Sequence, residues 1–245
     1  MEFIGKVALV TGGTRGIGAA IVRRLAQRGA DVAFTYAKSE QAATDLVHEL
    51  ESTGTKALAI RADSRDLAAV RAAVEQTARE LGRLDILVNS AGVFPAGPIE
   101  SVTLEEINDT LTIHAGAVFV ATQAALVHMG SGGRIISIGS CFAQRVPYGG
   151  VTLYAMSKSA LIGFTKGLAR EVGDRGITVN IVDPGSTDTD MNPADGPAVS
   201  AELELMAVKR YAAPAEIAAA VGYLAGPDSG FISGASLAID GGFTA

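Results

Sequence analysis

Tryptophan is absent from this chain of 245 residues, aromatic side chains make up 5% of it, and there is a single cysteine, Cys141. One cysteine cannot form an internal disulfide, and such sparse thiol content fits a reducing, cytoplasmic setting. The three histidines, His48, His114 and His128, show no ligand spacing with acids or with Cys141, so no metal is expected. Charged residues are 19% of the chain and the net charge is −6, with lysine and arginine dispersed, which argues against a nucleic-acid footprint. No apolar run reads as a bilayer span. The opening "MEFIGKVALV" has an acid at position 2 and passes straight into a strand, unlike a secretory leader. Apolar residues, by contrast, reach 48% and glycine fills 29 positions. The first supply a substantial core. The second need a reason, because ordering a glycine costs extra backbone entropy.

Short β-branched runs alternate with longer amphipathic stretches. Strands are predicted at 6–11 (KVALVT), 31–36 (DVAFTY), 56–61 (KALAIR), 84–89 (LDILVN), 133–140 (GRIISIGS), 177–182 (ITVNIV) and 236–240 (SLAID). Helices are predicted at 16–29, 39–53, 66–81, 104–129, 154–175 and 214–225. Strands buried on both faces and joined by helices make a parallel sheet, so the expected fold is α/β. It is a single-domain, Rossmann-type doubly wound parallel sheet of about seven strands with helices on both faces. The one long irregular stretch, "PGSTDTDMNPADGPAVS" at 184–200, is rich in Pro, Gly, Asp and Ser. Such a loop in a compact domain suggests a mobile substrate lid, here at about 186–210.

"TGGTRGIG", residues 11–18, leaves the first strand and opens the first helix. Ligands of doubly wound sheets bind at the carboxyl ends of the strands, where strand order reverses. Glycines there let the backbone approach a pyrophosphate, whose charge the helix N-terminus favours. No GK[ST] ending follows, which excludes a triphosphate P-loop.

The spacing Thr11-Gly12-x-x-x-Gly16-x-Gly18 resembles the short-chain dehydrogenase/reductase family in its compact branch, and the resemblance spans essentially the whole chain. "NSAG" (89–92) is similar to that family's Asn-Asn-Ala-Gly signature, with Ser90 in place of the second Asn. "DPGSTDT" (183–189) looks like its nicotinamide-lining Pro-Gly segment, and "GASLAIDGG" (234–242) like its last strand. The resemblance implies a nicotinamide cofactor held by Gly12, Thr14, Arg15, Gly16, Ile17, Gly18, Asn89, Ala91, Gly92, Pro184, Gly185, Thr187 and Thr189. An NAD enzyme of this architecture places an acid at the end of the second strand. Here Tyr36 and Ala37 are uncharged, while Lys38, Ser39 and Arg15 can meet a 2′-phosphate, so NADP(H) is expected over NAD(H). The alternative is that Arg15 and Lys38 are solvated surface charges. Asp63 and Ser64 resemble an adenine-contacting pair, though Asp63 could equally cap the following helix.

"YAMSK" places Tyr154 and Lys158 four apart, on one helix face. Hydride transfer to a ketone builds charge on its oxygen, so a proton donor must stand beside it. Tyr154 is the candidate acid. Lys158 is expected to lower its pKa and, by the resemblance, to hold the nicotinamide ribose. Ser140, ending the fifth strand, would position the carbonyl oxygen. Where the family commonly has a relay asparagine, "IHAGAVF" puts His114; it either carries the relay water or is a buried, satisfied histidine.

The expected activity is reversible reduction of a small-molecule ketone to a secondary alcohol. A 3-oxoacyl-carrier-protein reductase is the alternative: Arg175 matches one docking position, but the loop "HMGSGGR" lacks the other. An enoyl reductase, with its Tyr and Lys farther apart, fits less well. A cofactor-binding sensor without turnover is the reading from another class. The resemblance also implies a homo-oligomer, a tetramer, formed through the helices from Leu104 and Tyr154 and the C-terminal strand. No nucleic-acid or membrane partner is expected.

Overall fold

The computed structural model describes residues 2–245. The apolar runs form β1 (Val7–Thr11), β2 (Asp31–Tyr36), β3 (Ala57–Arg61), β4 (Ile86–Asn89), β5 (Arg134–Ile138), β6 (Thr178–Pro184) and β7 (Ser236–Ile239). They make one parallel sheet in the order β3-β2-β1-β4-β5-β6-β7. Alternation along β1 shows why both faces must be covered. Ala8 and Val10 join one buried cluster while Val7 and Leu9 join another.

The first cluster is closed by α1 (Gly16–Gln27), α2 (Glu40–Glu51) and, near the C-terminus, Pro214–Ala225; Leu25, Leu46 and Val221 supply its helical side. The second is closed by α3 (Leu67–Leu81) and the helices Ala117–His128 and Thr152–Val172, through Val74, Ala121 and Leu168. Each fully buried Leu, Ile or Val contributes about 1.5–3 kcal/mol of transfer free energy, so these two layers hold the sheet rigid. Strand order reverses between β1 and β4, which is the crevice where the site lies.

Four differences from the expected elements have local causes. The helix predicted at 104–129 is three pieces: α4 (Leu104–Leu111), a π-helical turn at Thr112–Gly116, and α5 (Ala117–His128). The extra residue of a π-turn interrupts the regular ladder, here around the buried His114. That stretch, Leu104–His128, is also a 25-residue helix apolar and long enough to cross a membrane, contrary to expectation. Half of its apolar window is buried, and α5 packs on α3 as a core helix. Next, α6 (Thr152–Val172) starts two residues early, placing Tyr154 in its first turn; a 3-10 turn follows and Gly176 at φ 71° ends it. Last, the segment expected to be irregular ends in a helix, α7 (Val199–Leu205), before α8 (Pro214–Ala225). Val199, Leu203 and Leu205 of α7 pack on buried Met206, Tyr211 and Phe243. That apolar contact, invisible among the neighbouring Pro and Gly, stabilises the short helix.

Candidate active site

Every sequence-predicted site residue lies at the carboxyl ends of the strands or on the helices that face them. The glycine turn joins β1 to α1. Gly12 has φ +68°, and Gly18 is so close to Gly12 that a Cβ on it would sit 2.1 Å from the Gly12 carbonyl oxygen. A Cβ on Gly12 itself would meet the Ala91 Cα at 2.9 Å. Thr11 Oγ1 accepts from the amides of Ser90 (3.0 Å) and Ala91 (3.2 Å), locking the β1 and β4 turns together. Arg15, the N-cap of α1, makes no side-chain cap bond, and no acid lies in the first helical turn. The first N–H groups of α1 thus face the crevice with the positive end of the helix dipole behind them.

These features fit a dinucleotide: Gly12, Thr14, Gly16, Ile17 and Gly18 leave bare backbone beside a helix N-terminus. Asn89, at the end of β4, carries buried amide oxygen and nitrogen atoms with no protein partner, which a bound polar group would satisfy. Beside it run Ala91 and Gly92. Tyr36 ends β2, and the exposed Lys38 and Ser39 follow, with no acid at the ribose position. Arg15 is exposed too, and its Nη1 donates to Asp190 Oδ2 at 2.7 Å. Thr189 lies against Gly16, within 3.2 Å of where its Cβ would be. Of the segment Pro184, Gly185, Thr187 and Thr189, it is Thr189 that reaches the glycine turn, while Gly185 packs against Asp240. Asp63 and Ser64 follow β3 as expected, but Asp63 is not the helix cap. Its carboxylate accepts from the Arg65 backbone (2.9 Å), while Asp66 caps α3 through the Ala68 and Ala69 amides.

The candidate catalytic set is compact. Ser140 follows β5, is 6% exposed, and accepts from the Phe142 amide at 3.2 Å. Tyr154 and Lys158 share one face of α6, with the Lys158 ammonium 5.8 Å from the phenol ring centre. Lys158 donates to the Ile138 carbonyl at 2.9 Å. Any lowering of the Tyr154 pKa by Lys158 is outweighed by burial. Burial pushes the phenol up to about 12, against the lowering effect of the Ser140 hydroxyl. Burial also pushes Lys158 down to about 8, with Asp183 working the other way. At neutral pH Tyr154 thus carries its proton, as a donor must.

His114 is 1% exposed, and both ring nitrogens are engaged. Nε2 accepts from the Val93 amide (3.0 Å), and Nδ1 donates to Ser157 Oγ (2.8 Å), which in turn donates to the Tyr154 carbonyl (2.7 Å). The backbone donor at Nε2 fixes the tautomer. Burial first, then the Lys158 charge, push the imidazole down to about 3, so it is neutral. No ring nitrogen is left for a relay water. Of the two readings offered for His114, the buried, satisfied histidine is the one this geometry fits, and it braces the β4 turn against α6.

Two residues without an expected role stand out. Asp183 in β6 is 1% exposed; it accepts from the Ser140 amide (3.0 Å), from Gln144 Nε2 (3.2 Å) and from the Ser236 hydroxyl. In the sequence it only follows the predicted strand 177–182, as the first residue of "DPGSTDT". Glu202 on α7 accepts from Ser186, from Asn192 Nδ2 (3.2 Å) and from the Tyr211 hydroxyl (2.8 Å), tying α7 to the segment beneath it. Nothing in the sequence distinguished Glu202 from its acidic neighbour Glu204. Among the described residues no three His, Cys, Asp or Glu side chains gather in a metal-binding arrangement.

The family model described as "Enoyl-(Acyl carrier protein) reductase" matches residues 12–244. A cyclic-di-GMP-binding biofilm dispersal mediator protein of Escherichia coli (strain K12) is 46% identical over 243 residues, covering 99% of each chain. Hydroxynaphthalene reductase arp2 of Aspergillus fumigatus is 37% identical over 244 residues, covering 94% of this chain and 89% of its own. A blue fluorescent protein from a metagenomic library, solved in complex with NADPH, superposes with a TM-score of 0.99 at 56% identity and full coverage of both chains. With a parallel sheet, glycine turn and Ser-Tyr-Lys set of this kind, and matches over its whole length, the chain belongs to the short-chain dehydrogenase/reductase family of oxidoreductases.

Proposed function

We propose that this protein is an NADP(H)-dependent reductase that converts a small-molecule ketone to a secondary alcohol, reversibly. The observation that carries the reading is the convergence of Ser140, Tyr154 and Lys158 on the crevice that begins at the glycine turn. When bound, NADPH supplies the hydride. The Gly12–Gly18 backbone, Asn89 and the Pro184–Thr189 segment hold the cofactor. Tyr36, Lys38, Ser39 and Arg15 would hold the 2′-phosphate, and Asp63 and Ser64 the adenine. Ser140 donates a hydrogen bond to the ketone oxygen and Tyr154 gives it a proton. Lys158 supports the proton transfer by its charge, while His114 positions Tyr154 through Ser157 rather than touching substrate. Residues 186–210 act as a lid that excludes water once substrate is seated. The protein works in the cytoplasm as a homotetramer.

A carrier-protein thioester is disfavoured because Arg175, its one matching docking residue, already donates to the Leu126 and Met129 carbonyls at 2.7 and 3.1 Å. It closes the C-terminal end of α5, a role that suits a cation. A second reading, a cofactor-binding sensor, is favoured only by the likeness to the cyclic-di-GMP-binding protein of E. coli. A panel of small ketones and 3-oxoacyl carrier-protein thioesters, followed by NADPH oxidation, tests the assignment. Turnover of small ketones supports the reductase. Turnover of the thioesters alone replaces it with the carrier-protein reading, and binding of NADPH and cyclic-di-GMP without turnover replaces it with the sensor.

A further inference from the structure

The chain has eight phenylalanines and five tyrosines, and four of these rings cluster around a fifth, the Tyr154 phenol. Phe94 meets Tyr154 edge-on with ring centres 4.8 Å apart and planes at 69°. Phe142 meets Tyr154 at 6.1 Å and 89°, and Tyr148 at 5.5 Å and 88°. Phe94 and Phe142 are 6.4 Å apart, and Phe243 backs Phe142 at 5.6 Å. The cluster is graded in depth. Phe243 is buried with Cys141 and Met206, Phe142 is half-buried, and Phe94 and Tyr148 are 42% and 40% exposed. An apolar wall that emerges from the core beside a proton donor is a surface for substrate rather than scattered surface apolarity.

The charges around this wall sharpen the class. Arg145, the one cation in the 141–148 loop, is held by the Phe243 carbonyl and stacks over the Phe243 ring at 5.5 Å. The carboxylates of Asp183 and Glu202 are near, and Glu202 helps burial raise the Tyr148 phenol to about 12. The remaining cation, Lys158, is buried and committed to the Ile138 carbonyl at 2.9 Å, so a negatively charged substrate would meet two acids and no exposed cation on this wall.

We propose that the site selects neutral ketones carrying a flat aromatic ring next to the carbonyl, and that Phe94, Phe142 and Tyr148 read that ring. This rests on the ketone-reductase reading above. The chemistry is unchanged: the carbonyl carbon takes the hydride and the oxygen takes the Tyr154 proton. A saturated ring of the same size gains the same apolar burial, but its puckered shape cannot complete the edge-to-face set and it lacks the ring quadrupole.

The test compares kcat/KM for acetophenone and for cyclohexyl methyl ketone, with NADPH, in the wild type and in Phe94→Leu, Phe142→Leu and Phe94→Tyr. Because conjugation alters the intrinsic reactivity of an aryl ketone, the quantity read is the change in the aryl-to-cyclohexyl ratio between proteins. The ratio falls about tenfold in each Leu variant and stays within about twofold in Phe94→Tyr. Fluorescence titration of NADPH establishes that each variant still binds cofactor. A ratio that moves by less than about twofold in both Leu variants overturns the proposal while leaving the reductase reading intact. If neither ketone is reduced, the wider ketone panel decides the reductase reading. The proposal is then read from binding alone: acetophenone must perturb the emission of bound NADPH at lower concentration than the cyclohexyl ketone, and equal potency overturns it.

Discussion

Arg15 of the glycine turn and Asp190 of the segment after β6 form an ion pair of 2.7 Å, with both side chains more than half exposed. Arg15, proposed to meet a 2′-phosphate, is therefore also tied to the segment proposed as a lid. Exposed pairs of this kind contribute about 0.2–1 kcal/mol, so the competition is mild. Asp190→Asn frees Arg15 and tightens NADPH binding by about two- to fivefold, with NADH unchanged. Arg15→Ala weakens NADPH about tenfold more than NADH. Fluorescence titration with each cofactor checks both. Equal effects on the two cofactors would show that Arg15 is a solvated charge.

His114 makes stability depend on pH. Its folded pKa, about 3, lies below its unfolded value, so the unfolded chain binds the extra proton. The neutral brace is fully effective above about pH 6.5 and loses about 1.4 kcal/mol per pH unit as pH falls below that. Between pH 6.5 and 4.5 the wild type loses stability steeply. His114→Asn starts lower but has a flatter profile over that range. Denaturant unfolding at several pH values measures this, and parallel profiles would contradict the buried neutral assignment.

These two pairs mark where sequence reading stopped. The seven strands were legible because both their faces are buried, leaving near-continuous β-branched runs such as "VALVT" and "DVAFTY". Tyr154 and Lys158 were legible because four residues is one helical turn. The π-turn around His114 was not, since the composition of 104–129 reads as continuous helix and the interruption depends on partners from Val93 and Ser157. Neither was α7, whose apolar contacts are with residues up to Phe243. Asp183 and Asp190 look alike in sequence. Only the fold buries one beneath Ser140 and exposes the other beside Arg15.

Gly139 is there to make room. A Cβ on it would lie 2.0 Å from Asp183 Oδ1 and 2.7 Å from Ile181 Cγ2. Gly139→Ala must push aside the carboxylate that holds the Ser140 amide. The expected cost is about 1–3 kcal/mol of stability and at least about a tenfold loss in kcat. Thermal unfolding and single-turnover kinetics report the two separately, and full kcat in the variant would remove Asp183 from the positioning of Ser140.

The pH profile of the reaction follows from the two shifted groups on α6. Tyr154 stays protonated well above neutrality, while Lys158, at about 8, is the first to lose its proton. Ketone reduction holds from about pH 6 to about pH 8 and declines above, as the Lys158 charge is lost. Steady-state rates across that range check it, and a reduction rate still climbing at pH 9 would contradict the assigned protonation states.

The most direct test of the central claim is NADPH oxidation with a ketone that the wild type reduces, repeated with Tyr154→Phe, beside a fluorescence titration of NADPH with both proteins. Loss of the acid predicts a fall in kcat of about 10²–10⁴-fold with NADPH affinity kept within a few fold. A Tyr154→Phe protein that reduces the ketone at the wild-type rate would contradict it.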